Sequence, residues 1–313
     1  MKPGNIFIHH DGALGDTLLS LPCISIIRES ASHIHMAGRR DVVCFLKEAG
    51  IADEVSSADR GLYCSLYTGS LDEALASFLS GFDMSFIFTV NAESQLVRNV
   101  RSVIPGAQAI LTIPPETNPE HAAQFRARQC GNGEGAAQRN ITIRVPDKEK
   151  IWAADLLRRQ GCLFPGCRLI MVHPGSGGRK KCWPLEDYAL LIRLVMSDPL
   201  LFCLVLSGPA EDAETVRALE QLAVSDKRIV HLHDAPLIRI AALFERAGCY
   251  IGNDSGVSHL AGIMKCRGMV LFGPTDPGIW KPTGNSLEVL HFEGASHTAL
   301  AGKIHRRVKE LYY

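Results

Sequence analysis

The sequence predicts an α/β protein made of two successive Rossmann-like, doubly wound domains. Short apolar runs of strand length alternate with segments of helical periodicity along the whole chain, the pattern of a parallel sheet covered by helices on both faces. The 313 residues exceed one ordinary domain and suit two. Glycine-bearing loops also follow several of the apolar runs and lead directly into helices. Doubly wound sheets bind their ligands at such places, beyond the carboxyl ends of the strands.

In chain order, Ile6 to Ile8 reads as a strand, His10 to Asp16 (HDGALGD) as its loop, and Thr17 to Arg28 as a helix. Pro22 lies inside that helical run and predicts a kink or a late start, because proline lacks the N–H and clashes with the preceding turn. Ile34 and Met36 mark a second strand and Asp41 to Ala49 a helix. Asp53 to Val55 reads as a third strand, and Leu71 to Leu79 as a helix. Ser85 to Val90 is a buried strand, Glu93 to Ser102 a helix, Ala107 to Leu111 a strand and Pro119 to Gln129 a polar helix. The low-complexity stretch Gly131 to Asn140 reads as a mobile segment ahead of a domain boundary. Ile141 to Val145 reads as a closing strand, so the first domain is expected to span 1–145.

The second half repeats the scheme over 146–296. A helix runs to Gln160, followed by a strand from Leu169 to His173, a loop to Pro184 and a helix from Leu185 to Met196. Phe202 to Ser207, Arg228 to Leu232, Cys249 to Ile251, Met269 to Phe272 and Leu287 to Leu290 are strands. Asp212 to Val224, Leu237 to Ala247 and Val257 to Met264 are helices, the last with Asp254 or Ser255 at its N-cap. A basic helix, 297–313, ends the chain.

Composition narrows the function. Hydrophobic residues make up 46% and charged residues 21%, and the formal net charge is zero. A general nucleic-acid binder would carry a basic face, so nucleic acid is excluded as a partner. No apolar run reaches the ~20 residues of a membrane span, and no signal peptide opens the sequence. The ten cysteines form no C-x-x-C pair and lie mostly in apolar runs, as small buried hydrophobes do. They suggest a reducing, cytoplasmic setting, and the Cys162/Cys167 spacing does not suit zinc.

Three loops carry the candidate chemistry. His173 to Trp183 (HPGSGGRKKCW) places Ser176 and three glycines before Arg179, Lys180 and Lys181. Open backbone with nearby cations suits a diphosphate, although neither a Walker loop nor the G-x-G-x-x-G fingerprint is present. Gly252 to Gly256 (GNDSG) leads into a helix whose first turn holds His259. Backbone N–H groups and the positive end of the helix dipole suit an anion there. Ser207 to Asp212 (SGPAED) places Glu211 beyond a strand, where an acid can take ribose hydroxyls or simply complement a helix N-terminus.

These residues resemble the heptosyltransferases, glycosyltransferase family 9. The resemblance rests on His173-Pro174-Gly175-Ser176 with Lys180/Lys181 and Trp183-Pro184, on Gly252 to Gly256 with His259, on Phe272 to Pro277 (FGPTDP), and on Gly12 to Thr17 (GALGDT) before Leu21-Pro22. The four motifs follow one another in the family's order across nearly the whole chain. The resemblance implies a GT-B fold, with two Rossmann-like domains facing a cleft, the acceptor on the first and the nucleotide sugar on the second. It also implies a final helix that packs back on the first domain, and inverting transfer from an ADP-sugar to a lipopolysaccharide-core-type glycan without metal or cofactor. The setting is cytoplasmic and allows peripheral contact with the inner membrane.

Carried over by position, Asp16 is the general base. Ser176, Lys180 or Lys181, Asp254, Ser255, Gly256 and His259 bind the donor diphosphate, and Glu211 binds the ribose. The segment after Val90 departs from the family's pattern, which leaves Arg98 and Arg101 as acceptor candidates. Without a metal-binding Asp-x-Asp, lysine and backbone donors must stabilise the departing diphosphate. Asp16 alternatively reads as a helix N-cap, and a free aspartate, with a pKa near ~3.9, is a weak base at neutrality. A non-catalytic nucleotide-sugar-binding module and a GT-B-shaped epimerase are the other readings.

Overall fold

The computed structural model describes residues 4–59, 61–131, 141–162, 167–294 and 296–313. All of the low-complexity stretch except Gly131 lies outside them. The chain divides into two compact units, Met1–Arg144 and Val145–Tyr313.

In the first unit, β1 (Gly4–His10), β2 (Ala31–Gly38), β3 (Glu54–Ser57), β4 (Met84–Thr89) and β5 (Gln108–Leu111) form one sheet in the order β3-β2-β1-β4-β5. Every pairing is parallel. Helices cover both faces, which is why the inner strands β1 and β4 are buried in a continuous run rather than on alternate residues. The order reverses between β1 and β4, so the loop after β1 opens at the switch point.

The helix expected over Thr17 to Arg28 is two helices, Leu14–Leu19 and Leu21–Arg28. Pro22 occupies the first turn of the second, where its missing N–H costs nothing. Ser20, between them, bonds back to the carbonyls of Asp16 and Thr17. The first helix therefore begins upstream of Asp16. Its N-cap position is Ala13, and Asp16 sits inside the first turn, so Asp16 is not a helix cap.

The second unit holds β6 (Arg168–His173), β7 (Leu201–Ser207), β8 (Ile229–His233), β9 (Cys249–Asn253), β10 (Gly268–Phe272) and β11 (Leu287–His291). They form a parallel sheet in the order β11-β10-β9-β6-β7-β8. Its switch point falls between β6 and β9, where His173 lies opposite Gly252.

Residues 141–146 form no strand, contrary to expectation. The short helices Gly61–Cys64 and Pro277–Trp280 were not legible, being too brief to show a period. The C-terminal helix His297–Tyr312 packs on the helix Leu185–Val195 and sinks Leu300, Ala301, Ile304 and Val308 into the second unit's core with Trp183 and Leu191. Tyr312 donates its hydroxyl to the Leu169 carbonyl at 2.8 Å.

The cysteines also differ from expectation. Cys23 and Cys130 form a disulfide, because the helices Leu21–Arg28 and Ala122–Gln129 pack side by side. A pairing across 107 residues leaves no trace in local sequence. Among the described residues no helix is long and apolar enough to cross a membrane.

Candidate active site

In the second unit the loops after β6, β9 and β10 converge at one edge of the sheet. Asp254, directly after β9, is 3% exposed. Its Oδ2 accepts from Lys181 Nζ at 2.8 Å and from Thr275 Oγ1 at 2.7 Å. A buried carboxylate needs such partners, because desolvation costs several kcal/mol per ion, on the order of magnitude known for buried pairs. Ser176 Oγ donates to the Asp254 carbonyl at 2.7 Å. Asn253 clamps the loop from beneath: its Oδ1 accepts from Trp183 N and Tyr188 OH at 3.1 and 2.9 Å, and its Nδ2 donates to the Pro174 carbonyl at 2.6 Å. Lys181 is thus aimed by a rigid base, whereas Lys180 on the same short turn is exposed.

Ser255 is the N-cap of the helix Gly256–Ile263, and its Oγ accepts from Ser258 N at 3.4 Å. The amides of Ser258 and His259 turn back to the Ser255 carbonyl, whereas those of Gly256 and Val257, at the helix start, have no acceptor within the helix, so Gly256 presents a backbone donor at the same edge. His173 Nδ1 lies 3.2 Å from Ser255 Oγ. His259 is buried in the helix. Glu211 Oε2 accepts from Gly208 N at 2.5 Å, and burial raises its pKa above the usual carboxylate range. A Cβ on Gly175 would stand 1.7 Å from Glu211 Oε1, so glycine is required there for the carboxylate to lie across the β6 loop. Ser207 Oγ, alongside, meets His231 Nε2 at 2.7 Å and His233 Nδ1 at 2.9 Å.

In the first unit, Asp16 is held by a residue that sequence reasoning missed. Arg126 is fully buried. It donates to Asp16 Oδ1 at 3.2 Å, to Ser20 Oγ at 3.0 Å, to the Thr112 carbonyl at 2.8 and 3.0 Å, and to the Asp16 carbonyl. The Asp16 side chain remains 46% exposed, so one face of the carboxylate is supported and the other is open. The available signal was an arginine among Ala122, Ala123 and Ala127, small residues that let the helix pack closely. His10 completes the network. Its Nδ1 accepts from Gly12 N at 3.2 Å, which puts the proton on Nε2, 2.9 Å from Ser20 Oγ.

Among the described residues neither Arg98 nor Arg101 bonds to Asp16 or Arg126. Arg98 folds onto its own helix, donating to Gln95 Oε1 at 2.9 Å and to the Glu93 carbonyl. Arg101, in the last turn, donates to the Ala107 carbonyl at 3.2 Å. That carbonyl precedes β5 and so lies at the amino ends of the strands, opposite Asp16.

The buried histidines set a pH dependence. Burial, reinforced by the Arg126 charge, pushes His10 down to about 3, and burial alone pushes His173 down to about 4. Unfolded histidine takes its proton near pH ~6.5. Below that, the unfolded chain binds more protons than the folded one, so stability falls as the pH drops from about 6.5 towards about 4 for His173 and about 3 for His10. Urea unfolding at a series of pH values should show this loss, and His173→Asn should flatten it by about one proton. An unchanged slope would mean that His173 is protonated in the folded chain.

Residues 149–304 match the model of glycosyltransferase family 9 (heptosyltransferase). This stretch of the chain belongs to this family. It is 28% identical over 130 residues to lipopolysaccharide heptosyltransferase 1 of Salmonella typhimurium, a match that spans 40% of this chain and 40% of that relative's length. The fold is that of E. coli ADP-heptose lps heptosyltransferase II, with a TM-score of 0.76 at 16% identity, covering 100% of this chain and 98% of the other. E. coli heptosyltransferase WaaC with ADP gives a TM-score of 0.66 at 14% identity over 98% and 99% of the two chains. Two parallel α/β units in succession are thus the GT-B class of this glycosyltransferase family.

Proposed function

We propose that this family 9 chain is an inverting, metal-independent transferase that moves a heptose or a related sugar from an ADP-sugar to a lipopolysaccharide-core-type glycan. The observation that carries the reading is the Asp254–Lys181 pair, buttressed by Thr275 and set beside the capped N-terminus of Gly256–Ile263. It presents an ammonium and backbone amides together, which is what a departing diphosphate requires. Asp254 contributes by holding Lys181, because its own carboxylate would repel phosphate. Ser176, Ser255 and Gly256 line the anion's edge, His259 backs it, and Glu211 takes the ribose hydroxyls. Asp16, supported on one side by Arg126, accepts the proton of the attacking acceptor hydroxyl as the new glycosidic bond forms and the bond to diphosphate breaks. We place the reaction on the cytoplasmic side, where the glycan acceptor allows peripheral contact with the inner membrane.

Titration calorimetry with ADP should show binding that is equal in EDTA and in magnesium, with sugar transfer likewise indifferent to EDTA. Strict dependence of both on a divalent cation would overturn the metal-independent mechanism.

A further inference from the structure

With Arg98 and Arg101 engaged elsewhere, the acceptor side of the reaction has no assigned residues beyond Asp16. A cavity of about 700 Å³ opens in the first unit, lined by Asp11, Arg39, Arg40, Asp41, Cys44 and Asp59. Asp11 follows β1, Arg39 follows β2 and Asp59 follows β3. The cavity is therefore on the same edge of the sheet as Asp16, on the β2/β3 side of the β1 loop. Its volume is that of a small-molecule site.

The lining selects a chemistry. Among the described residues neither the Arg39 nor the Arg40 side chain has a hydrogen-bond or ion-pair partner. Asp11 Oδ2 accepts from Tyr67 OH at 2.7 Å and Asp59 Oδ2 from Ser57 Oγ at 3.2 Å, which leaves each carboxylate further lone pairs. Among the described lining residues two guanidiniums face three carboxylates. A free anion meets the carboxylates, and a metal cation meets the guanidiniums. No group of three His, Cys, Asp or Glu side chains among the described residues could hold a metal. A hydroxyl group both donates and accepts, whereas carboxylates only accept and guanidiniums only donate. A ring bearing several hydroxyls satisfies both sets at once. Tyr67, half-exposed, holds the Asp11 carboxylate in place through its hydroxyl. Its turn is pinned by Asn99 Nδ2, which donates to the carbonyls of Ser65, Leu66 and Thr68 at 2.9–3.1 Å.

We propose that this cavity binds an uncharged sugar unit of the glycan acceptor, with Arg39, Asp11 and Asp59 reading its hydroxyls. The proposal rests on the transferase reading above for the word acceptor, but not for the site itself.

Cys44 is an exposed thiol in the lining and serves as the reporter. Iodoacetamide alkylation of the full chain, read at Cys44 by peptide mapping, is compared with and without methyl α-glucoside, methyl α-mannoside and methyl α-galactoside, and with inorganic phosphate and magnesium. At least one glycoside should slow alkylation, while phosphate and magnesium should not. Arg39→Ala combined with Asp59→Asn should abolish the protection. It should also raise the acceptor KM about tenfold or more, as expected for losing hydrogen bonds to charged groups, with ADP affinity and circular dichroism unchanged. Protection by phosphate alone, or an absence of protection together with an unchanged acceptor KM, overturns the site. If glycosides protect Cys44 but no ADP-sugar supports transfer, the transferase reading fails and the sugar site stands.

Discussion

Asp16→Asn should lower kcat by about 10²–10⁴-fold, the usual contribution of a positioned general base, with ADP affinity unchanged. Asn keeps the size and the acceptor oxygen that faces Arg126 Nη2 but cannot take a proton. The helix-cap explanation does not apply, since the N-cap position is Ala13 and Asp16 lies within the first turn. The substitution does remove the countercharge of a buried guanidinium. Arg126 keeps its bonds to Thr112, Ser20 and the Asp16 carbonyl, and the lost carboxylate was 46% exposed. A loss of about 1 kcal/mol follows, the upper range for a partly exposed ion pair, or roughly 2–4 °C in Tm for a unit of this size. Turnover, ADP affinity and melting temperature measured on this variant decide the matter. Near-normal turnover removes Asp16 from the chemistry.

The second large effect is expected at Lys181, and it separates two adjacent lysines. Lys181→Ala strands the Asp254 carboxylate with Thr275 alone. Breaking a buried pair costs about 3–5 kcal/mol, reduced here because the Lys181 side chain is 38% exposed and water can enter. Donor affinity should also fall tenfold or more, because a hydrogen bond to a charged group contributes about 1.5–3 kcal/mol. Combining Lys181→Ala with Asp254→Asn removes the stranded charge. Stability should recover in the double variant while ADP binding stays weak. Lys180→Ala should leave the fold untouched, since Lys180 is exposed. If ADP binding survives Lys181→Ala and is lost in Lys180→Ala, the phosphate contact belongs to Lys180.

Much of this protein was legible in its sequence for a local reason. A strand buried on both faces must be continuously apolar, so β4, β7, β9 and β10 could be read directly. Loop chemistry is local too, and the glycines and basic residues after β6 and the Asn-Asp-Ser-Gly after β9 mark a candidate anion-binding edge without reference to the rest of the chain. What escaped were features created by contact between distant segments. Arg126 reads as one more charge on a polar helix until packing buries it against Asp16, 110 residues away. Arg101 reads as a free cation until its guanidinium is found on a backbone carbonyl at the opposite edge of the sheet. Asp254 and Lys181 each suggest a ligand contact in isolation, and only the fold shows that they satisfy one another.

The alternation of strand and helix, the two-unit organisation and the positions of the glycine-bearing loops were determined by the sequence alone, because periodicity and turn chemistry act over a few residues. The tertiary structure decided which lysine is aimed, what supports Asp16, where the C-terminal helix spends its apolar face, and that Asp11, Arg39 and Asp59 share one cavity. Each of these depends on burial and charge pairing between strands that are neighbours only in the sheet. Desolvation, which decides whether a charged side chain is free or committed, does not exist until the sheet has formed.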